Sequence, residues 1–403
     1  MANNTYVIDD IAQPGETITL TDDGTGSDWL VLSGVHDLTN QITLSWTVDP
    51  SFNATSASGS YSENGSAGRV IVNGQIENVR GSNGADDISG NQLANILYGD
   101  SAATGAGGAD FIYGGDGNDS GYGGAGNDFI LGGNGLDRLF GDVGVDTISG
   151  NAGVDTITGG AGPDQLTGGS DIGDTLDYSA SAAAIKLTLT HNAITTGEGG
   201  DAKGDQVFGF TDVIGTAFDD TLTDSVRNTL SSNDNKSEFF GASGNDKLTL
   251  GGGNDLGVGG AGRDTLLGGE GKDTMTGDAN NDTLTGGSGA DRQSGGTGAD
   301  IFVFVSRTDS RVELAEQDQI TDFDRAERDK LDLSALDADP AVAGNQSFRF
   351  IGTGAFTGVH GQLRYQVSNG DATVSGDVNG DMKADFAILL SVITTLAAGD
   401  FIL

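Results

Sequence analysis

Apolar residues recur once every nine positions in two long blocks of this chain. The first block runs from Gly105 to Thr167 and the second from Gly241 to Val303, each as seven consecutive units. Glycines dominate the first four positions of a unit, and a large apolar residue usually stands eighth. The apolar centre predicts a very short strand with one inward side chain, and the glycines predict a tight turn. A unit of this kind cannot bury its apolar face alone, so the repetition predicts stacked coils.

The stretches before the two blocks also correspond, which indicates a duplicated module. Residues 76–89 match residues 210–223, and alternating β-type segments at 41–48 and 184–190 lie upstream of them. Further alternation at 29–32 and 70–76 predicts strands near the N-terminus. We therefore predict five segments: a β-rich N-terminal segment (1–98), a first roll (99–168), a β-rich spacer (169–238), a second roll (239–302) and a C-terminal domain (303–403).

Composition narrows the choice of partners. The chain has 403 residues with a net charge of −40, which argues against nucleic acid and anionic membrane surfaces as partners. Its acids are 50 Asp and only 9 Glu, and Asp beside Gly is typical of turns that reach a cation. Cys is absent, so disulfides and thiolate zinc sites are excluded. No apolar run is long enough to predict a membrane span.

Aspartate occupies the sixth position of every unit and is the main candidate for metal binding. These residues are Asp110, Asp119, Asp128, Asp137, Asp146, Asp155 and Asp164 in the first block, and Asp246, Asp255, Asp264, Asp273, Asp282, Asp291 and Asp300 in the second.

Two units per coil would align aspartates eighteen residues apart on one edge, for example Asp110 with Asp128 and Asp119 with Asp137. Coils about 4.7–4.9 Å apart would bring these carboxylates into repulsion. Calcium, a hard cation with six or more oxygen ligands, relieves that repulsion better than magnesium does. Because seven inward side chains cannot offset the chain entropy of a block, we expect both blocks to be largely unfolded without cations.

Two other interpretations of the repeats were weighed. A disordered Gly/Asp-rich linker would not keep a nine-residue register through two blocks. A metal-free solenoid with exposed threonine ladders would need a regular Thr column, but Thr147, Thr156, Thr158, Thr283 and Thr285 form a patchy one. The unbroken aspartate pattern favours the calcium hypothesis over both.

The nonapeptide resembles the calcium-binding repeat of the RTX (hemolysin-type) family. The resemblance implies an all-β fold with two calcium-bound parallel β-rolls, β-rich spacers and a β-rich C-terminal domain. It also implies that carbonyls of the glycine turn join the aspartates as Ca²⁺ ligands, here at the fourth-position residues Gly108, Gly117, Gly126, Gly135, Gly144, Gly153, Gly162, Gly244, Gly253, Gly262, Gly271, Gly289 and Gly298. Asn280 replaces the fourth glycine of one unit and should tolerate its conformation. Gln293, at an inward position, suggests a frayed end of the second roll.

From Ile301 onward the sequence resembles the C-terminal portion of serralysin-type secreted proteases, in blocks such as DIFVFVS, DQITDFD and GDVNGDMKADFAI. The resemblance implies a secreted, extracellular or cell-surface protein. It also implies a type I secretion apparatus as a partner, reading an uncleaved C-terminal signal that ends in Asp400-Phe401-Ile402-Leu403. The N-terminus shows no signal-peptide pattern.

No catalytic motif is recognisable in the sequence. His36, His191 and His360 do not form HExxH and are expected to be structural, and GxSxG is absent. We therefore predict that the chain is not an enzyme. A separate candidate calcium loop contains Asp377, Asn379, Asp381 and Asp385 at EF-hand-like spacing, although Met382 replaces the expected Gly and a plain acidic turn is the alternative.

The favoured function is a structural component of the cell surface or extracellular matrix, such as a surface layer, filament or adhesin. Open sheet ends of a solenoid invite end-to-end stacking, so we expect self-association or a cell-surface polysaccharide as a partner. The alternative is an extracellular enzyme that acts on a polysaccharide. Trp29 and Trp46 are the only tryptophans, which is few for sugar binding.

Overall fold

The computed structural model divides the chain into two compact units. Unit 1 comprises Met1–Ser181 with His191–Phe210, and unit 2 comprises Ala182–Thr190 with Thr211–Leu403. Before residue 78 the structure describes only the strands β1 to β5, as backbone. From there it describes residues 78–81, 84–100, 107–169, 171–190, 193–225 and 236–403. His36, Trp46, His191 and the predicted N-terminal strand positions 41, 45–48 and 72–76 lie outside the described residues, whereas β2, β3 and β5 cover positions 29–32, 42–44 and 70–71.

Unit 1 consists of short strands, as the three-residue apolar pattern predicts. They are β1 (Thr5–Ile8), β2 (Trp29–Leu32), β3 (Ile42–Leu44), β4 (Gly59–Tyr61), β5 (Gly68–Ile71), β6 (Asn78–Arg80), β7 (Asp86–Ser89), β8 (Ile96–Tyr98), β9 (Phe111–Asp116), β10 (Ser120–Gly126), β11 (Phe129–Asn134), β12 (Arg138–Gly144), β13 (Thr147–Ala152), β14 (Thr156–Thr158), β15 (Gln165–Gly169), β16 (Thr175–Asp177), β18 (Thr195–Thr196) and β19 (Gln206–Phe208).

Unit 2 is built in the same way from short strands. They are β17 (Lys186–Leu189), β20 (Asp212–Ile214), β21 (Thr221–Asp224), β22 (Glu238–Ser243), β23 (Lys247–Gly253), β24 (Leu256–Ala261), β25 (Thr265–Gly271), β26 (Thr274–Ala279), β27 (Thr283–Gly289), β28 (Arg292–Ser294), β29 (Ile301–Val303), β30 (Asp318–Ile320), β31 (Lys330–Asp332), β32 (Arg349–Phe350), β33 (Gln362–Ser368), β34 (Asp371–Asp377), β35 (Phe386–Leu390) and β36 (Phe401–Ile402).

The strands of every second nonapeptide pair in parallel, so that two consecutive nonapeptides form one coil. In unit 1, β9 pairs with β11 and β11 with β13, with Phe111 opposite Phe129 and Phe129 opposite Thr147. The alternate strands β10, β12 and β14 form the opposite sheet. Unit 2 repeats this pattern through β22 to β29. The predicted fold class, all-β with parallel β-rolls, is confirmed, whereas the five-segment division stays a prediction.

The eighth-position side chains form the core of each roll. From Ile112 to Leu166 the apolar residues at this position are at most 1% exposed. Glycine stands at this position once in each block, and the missing side chain is compensated differently in the two nonapeptides concerned. Around Gly121 the neighbouring core side chains close in, whereas beside Gly257 the space holds Leu250, whose Cδ1 lies 3.0 Å from where a Cβ on Gly257 would be.

The coils continue beyond the repeats that the sequence shows clearly. In unit 1, β7 and β8 supply core residues Ile88 and Leu97 and pair with β9 and β10. In unit 2, β21 and β22 precede the block in the same way. The turns that join these coils to the blocks contain six extra residues in unit 1 and eight in unit 2, because aligned aspartates are 24 and 26 residues apart there instead of 18. The nine-residue spacing therefore does not predict these coils.

The C-terminal part of unit 2 adds antiparallel pairing to the second roll. Strands β33, β34 and β35 form an antiparallel meander, and β35 joins β30 in parallel. The last strand, β36, pairs with β31. Among the residues that the structure describes, short 3-10 helices occur at Leu314–Glu316 and Ala398–Asp400 in unit 2 and at Gly200–Ala202 in unit 1. In the part of the chain that the structure describes, no helix is long and apolar enough to cross a membrane.

Candidate calcium columns

The sixth-position aspartates stand above one another along the edges of each roll. The backbone N–H of Asp110 donates to Oδ1 of Asp128 over 2.8 Å, and that of Asp128 donates to Oδ1 of Asp146 over 2.8 Å. On the opposite edge Asp119 donates to Asp137 in the same way. The second roll repeats the ladder, for example from Asp246 to Asp264. The structure therefore brings together the aspartates that the eighteen-residue spacing aligns.

The other carboxylate oxygen, Oδ2, has no hydrogen-bond partner although it is buried. Burying an unpaired carboxylate oxygen is costly unless a cation compensates it. This arrangement recurs in thirteen of the fourteen repeat aspartates: Asp110, Asp119, Asp128, Asp137, Asp146, Asp155, Asp164, Asp246, Asp264, Asp273, Asp282, Asp291 and Asp300. Each of these side chains is at most 2% exposed.

At most turns the first glycine leaves a gap in front of that oxygen. A Cβ built on Gly114 would collide with Oδ2 of Asp119 and with the carbonyl oxygen of Gly132 in the next coil. The same collision recurs at the first glycine of other turns, including Gly268, whose gap faces Asp273. A carboxylate and a backbone carbonyl are the oxygen donors that Ca²⁺ takes. The residues present therefore fit a bound calcium ion.

The fourth-position residues stack in a similar way. A Cβ on Gly135 would collide with the carbonyl oxygen of Gly117 one coil earlier, and Gly135 has a φ of 148°. Asn280 has a φ of 83°, so asparagine adopts the left-handed conformation that the missing glycine would have taken. These positions as calcium ligands stay predictions.

Burial raises the pKa of the column carboxyls well above that of a free aspartate. The pKa of Asp110 rises to about 8, chiefly through burial and also through the charges of Asp86 and Asp128. Burial likewise raises the pKa of Asp119 to about 7 and that of Asp273 to about 8. A nearby cation would favour the ionised form of the same groups.

Sequence reasoning missed the residues that extend these columns. In unit 1, Asp86 and Asp205 continue one column and Asp174 ends the other. In unit 2, Asp318 and Asp329 accept the N–H groups of Asp291 and Asp300. Sequence spacing alone could not align them, because insertions separate them from the regular units. The sequence offered a local signal at two of them, Asp-Asp-Ile at Asp86 and Gly-Asp-Thr at Asp174.

Gln293 departs from the apolar pattern without fraying the roll. Its side chain is fully buried, and both amide atoms lack a hydrogen-bond partner. It lies in β28 between Met275 and Ile320 of the flanking strands. The suggestion of a frayed end at this position was wrong, because β30 continues the sheet.

The loop from Asp377 to Asp385 is held by its own hydrogen bonds. Asp377 accepts the N–H groups of Gly380 (2.7 Å) and Met382 (3.0 Å), and Asp385 accepts that of Val378 (2.8 Å). Asn379 accepts the N–H of Asp381 over 2.8 Å. Calcium in this loop stays a prediction. Across the described residues no three His, Cys, Asp or Glu side chains gather closely enough to hold a metal by themselves.

Comparison with known proteins places these features in a family. The model of the family "Peptidase M10 serralysin C terminal" matches residues 20–403. Two solution structures are similar, the AlgE6R3 and AlgE6R2 subunits of the Azotobacter vinelandii mannuronan C5-epimerase. Their identities are 32% and 23%, they cover 37% and 47% of this chain and 79% and 89% of their own, and the TM-scores are 0.27 and 0.23. No curated protein sequence matches.

The prediction that the chain is not an enzyme was wrong. The finding that overturns it is that the similar repeat structures are subunits of an enzyme, an epimerase. A missing catalytic motif was too weak a reason to exclude catalysis. The family match over most of the chain, together with the repeated aspartate columns, shows that this protein belongs to the serralysin C-terminal family and is an RTX-type calcium-binding β-roll protein.

Proposed function

We propose that this protein is exported unfolded and folds outside the cell when calcium enters the aspartate columns. The observation that carries the proposal is the buried, unpartnered Oδ2 in thirteen repeat aspartates. Without a cation these oxygens would stand close together in a protein of net charge −40. Calcium supplies the missing partner and removes the repulsion between successive coils.

The calcium gradient across a cell envelope makes this folding directional. Extracellular calcium modules typically bind at about 10⁻⁴–10⁻³ M, far above cytosolic calcium. The chain would stay extended in the cytosol, pass a type I secretion apparatus and fold on arrival. Domains of this family are typical of extracellular proteins exported by that route, which supports the localisation.

Two single substitutions in one turn, a test variant and its control, examine the calcium part of the proposal. In Asp273→Asn the side-chain carbonyl can still accept the N–H of Asp255, but an NH₂ group replaces the unpartnered oxygen. We expect loss of at least one bound calcium ion and a lower melting temperature in calcium. Glu270→Gln, an exposed residue of the same turn, is the matched control and should change neither.

Circular dichroism with calcium and then with chelator tests the folding step. The β signal should appear with calcium and disappear with chelator in the wild-type chain. An unchanged β signal after chelation, with metal removal verified by elemental analysis, would end the proposal.

A structural role at the cell surface, as part of a surface layer, filament or adhesive coat, is the finer function that we propose. Two long rolls with repeated outer surfaces support it, because such surfaces offer many equivalent positions for contact. Electron microscopy at increasing calcium should show ordered assemblies. Dispersed single particles at high protein and calcium concentrations would count against this role.

Action on a polysaccharide remains the alternative. The repeat subunits that resemble this chain come from a mannuronan C5-epimerase, so mannuronan is the first substrate to assay in calcium. A change in its uronate composition or chain length would favour the alternative over a purely structural role.

A further inference from the structure

A buried aspartate, Asp100, lies in the turn after β8 and outside the sixth-position columns. This turn is irregular, because Asp100 and Asp110 are ten positions apart, whereas the second and sixth positions of a regular unit, such as Asp142 and Asp146, are four apart. The side chain of Asp100 is only 6% exposed. A carboxylate buried to this extent needs compensating partners.

One oxygen of Asp100 replaces a missing backbone carbonyl. In regular turns the third-position N–H donates to the second-position carbonyl oxygen of the preceding coil, as Ala161 does to Asp142 over 2.7 Å. Ala125 is the third-position residue of the coil after Asp100, and its N–H donates instead to Oδ2 of the Asp100 side chain over 2.8 Å. The carboxylate therefore stands inside the stack of turns, where regular coils place main chain.

Glycines on either side make room for this carboxylate. A Cβ on Gly107 would collide with Oδ2 of Asp100, and a Cβ on Gly124 would lie 2.6 Å from the same oxygen. At a regular second-position glycine such as Gly133, the nearest atom is instead a carbonyl oxygen of the preceding coil, that of Gly115. Close packing on two sides fixes the Asp100 side chain in the turn.

The other oxygen of Asp100, Oδ1, is buried and has no hydrogen-bond partner among the described residues. Asp100 thus divides its two oxygens as the repeat aspartates do, because one accepts a backbone N–H of a neighbouring coil and the other is left without a donor. Since Oδ2 already supplies the hydrogen bond that the turn needs, the anionic Oδ1 points to a cation.

A calcium gap lies beside Asp100. A Cβ on the preceding residue, Gly99, would collide with Oδ2 of Asp110 and would lie 2.5 Å from the carbonyl oxygen of Gly123, the arrangement found at regular turns. The charge of Asp100 reaches this gap. Burial is the main cause of the raised pKa of Asp110, and the charges of neighbouring aspartates, Asp100 among them, raise it further. Two carboxylates thus lie at this end of the column.

We propose that Asp100 is a calcium ligand outside the repeat register, whose Oδ1 joins Oδ2 of Asp110 and the carbonyl oxygen of Gly123 around one ion. Calcium takes carboxylate and carbonyl oxygens, and the number of charged ligands tunes its affinity. A regular gap, such as the one at Gly132, pairs Oδ2 of one aspartate with a carbonyl oxygen. The second carboxylate makes the gap at Gly99 the highest-affinity site of the first roll, so that it fills at the lowest calcium concentration.

This inference rests on the proposed calcium-dependent folding and gives that process a starting point. The turn from Asp100 to Asp110 is longer than a regular turn, and closing a longer loop costs more chain entropy. One ion held by both ends of the turn would offset that cost. Calcium binding at Gly99 should therefore precede closure of the later coils.

Competition with a fluorescent calcium chelator tests the site, because it resolves the first ions that the full-length chain binds. In Asp100→Asn the side-chain carbonyl can still accept the N–H of Ala125, while an NH₂ group replaces the unpartnered oxygen. We expect the tightest calcium-binding step to weaken by about tenfold or more. Circular dichroism in saturating calcium should show the same β signal as the wild type.

Asp142→Asn is the matched control. Asp142 also follows the first glycine of a turn, Gly141, and occupies the same second position, but its side chain is exposed. The substitution removes the same charge from the same edge of the roll. Because solvent screens an exposed charge, the tightest step should change by less than about threefold.

Anomalous diffraction from wild-type crystals grown in calcium provides a test that needs no variant, and it decides the question if Asp100→Asn fails to fold. An ion in the gap at Gly99 should lie about 2.3–2.6 Å from Oδ1 of Asp100.

The inference is overturned by an unchanged tightest step in Asp100→Asn, by equal weakening in both variants, or by an ion at Gly99 that Asp100 does not contact. Chelation separates this result from the proposed function. A β signal that is lost on chelation, while Asp100→Asn binds calcium like the wild type, removes only the Asp100 site. A β signal that persists after chelation removes the proposed folding function, and the diffraction peak then judges the Asp100 site alone.

Discussion

At the scale of single residues, each repeat aspartate uses its two oxygens differently. Oδ1 accepts a backbone N–H from the previous coil, as Asp137 does from Asp119 over 2.8 Å, while Oδ2 of Asp137 has no protein partner. The first oxygen fixes the register of the coils, and the second is placed for a cation. Asparagine could supply only the first, because it would place an NH₂ group, which cannot bind a cation, where Oδ2 stands.

The first glycine of a turn should be as important as the aspartate. A Cβ at Gly132 would collide with Oδ2 of Asp137 and with the carbonyl of Gly150, and its φ lies outside the left-handed region. Gly132→Ala should therefore act by filling the calcium gap, reducing the number of bound ions and destabilising the roll by about 1–3 kcal/mol. Calcium titration calorimetry and thermal melting measure both effects.

Gly399→Ala provides the control for that substitution, because no atom lies within 4 Å of the added Cβ. It should leave calcium binding and the melting temperature unchanged. Equal calcium binding by Gly132→Ala and the wild type would show that the gap is not the site.

Proton and calcium binding to the columns should compete. The pKa values of Asp110 and Asp119 are raised by burial to about 8 and about 7, against about 3.9 in an unfolded chain. A raised pKa means that the metal-free fold is most stable below about pH 4 and loses stability as pH rises towards 7–8. Calcium requires the ionised form, so the apparent calcium affinity should rise over the same range.

Calcium titrations followed by circular dichroism at about pH 5.5, 6.5 and 7.5 measure this dependence. The midpoint calcium concentration should fall at each step. A midpoint that does not change with pH would contradict the buried, protonatable state of the column carboxyls.

At the scale of strands and turns, one unit of the second block exchanges two positions. Leu250 replaces the first glycine and fills the core space that Gly257 leaves at the eighth position. Leu250→Ala should cost about 2–5 kcal/mol, as for other fully buried leucines. The double variant Leu250→Gly with Gly257→Leu restores the ordinary repeat and should regain most of that loss. Denaturant unfolding in calcium measures both, and equal stability of the single and double variants would contradict the exchange.

Gln293 is the polar exception in the core of the second roll. Its amide is fully buried without a hydrogen-bond partner, so Gln293→Leu should stabilise the protein by about 1–3 kcal/mol in thermal or denaturant unfolding. Gln366→Leu changes an exposed glutamine of β33 and should have little effect. Destabilisation by Gln293→Leu would show that the amide has a partner, such as a water molecule.

The repeat pattern in the sequence predicted the strands of the rolls better than it predicted where the rolls begin and end. The apolar eighth position was enough to predict the strands and the core, since each coil repeats the same environment for Ile112, Ile130 and Ile148. The eighteen-residue spacing predicted the aspartate columns for the same reason. Asp205 and Asp318 escaped prediction, because a column is defined in space and insertions separate them from the regular units.

At the scale of the whole molecule, the large negative charge makes folding depend on the calcium concentration around the protein. Each bound calcium ion would offset two of the 40 excess negative charges, so calcium binding both closes the coils and lowers the general repulsion between copies.

Anomalous diffraction from crystals grown in calcium tests the central claim most directly. We predict a calcium peak beside Oδ2 of the repeat aspartates along both edges of each roll, with a carbonyl oxygen of the neighbouring coil among the ligands. Well-ordered coils whose aspartate edges carry no calcium peak would contradict the account.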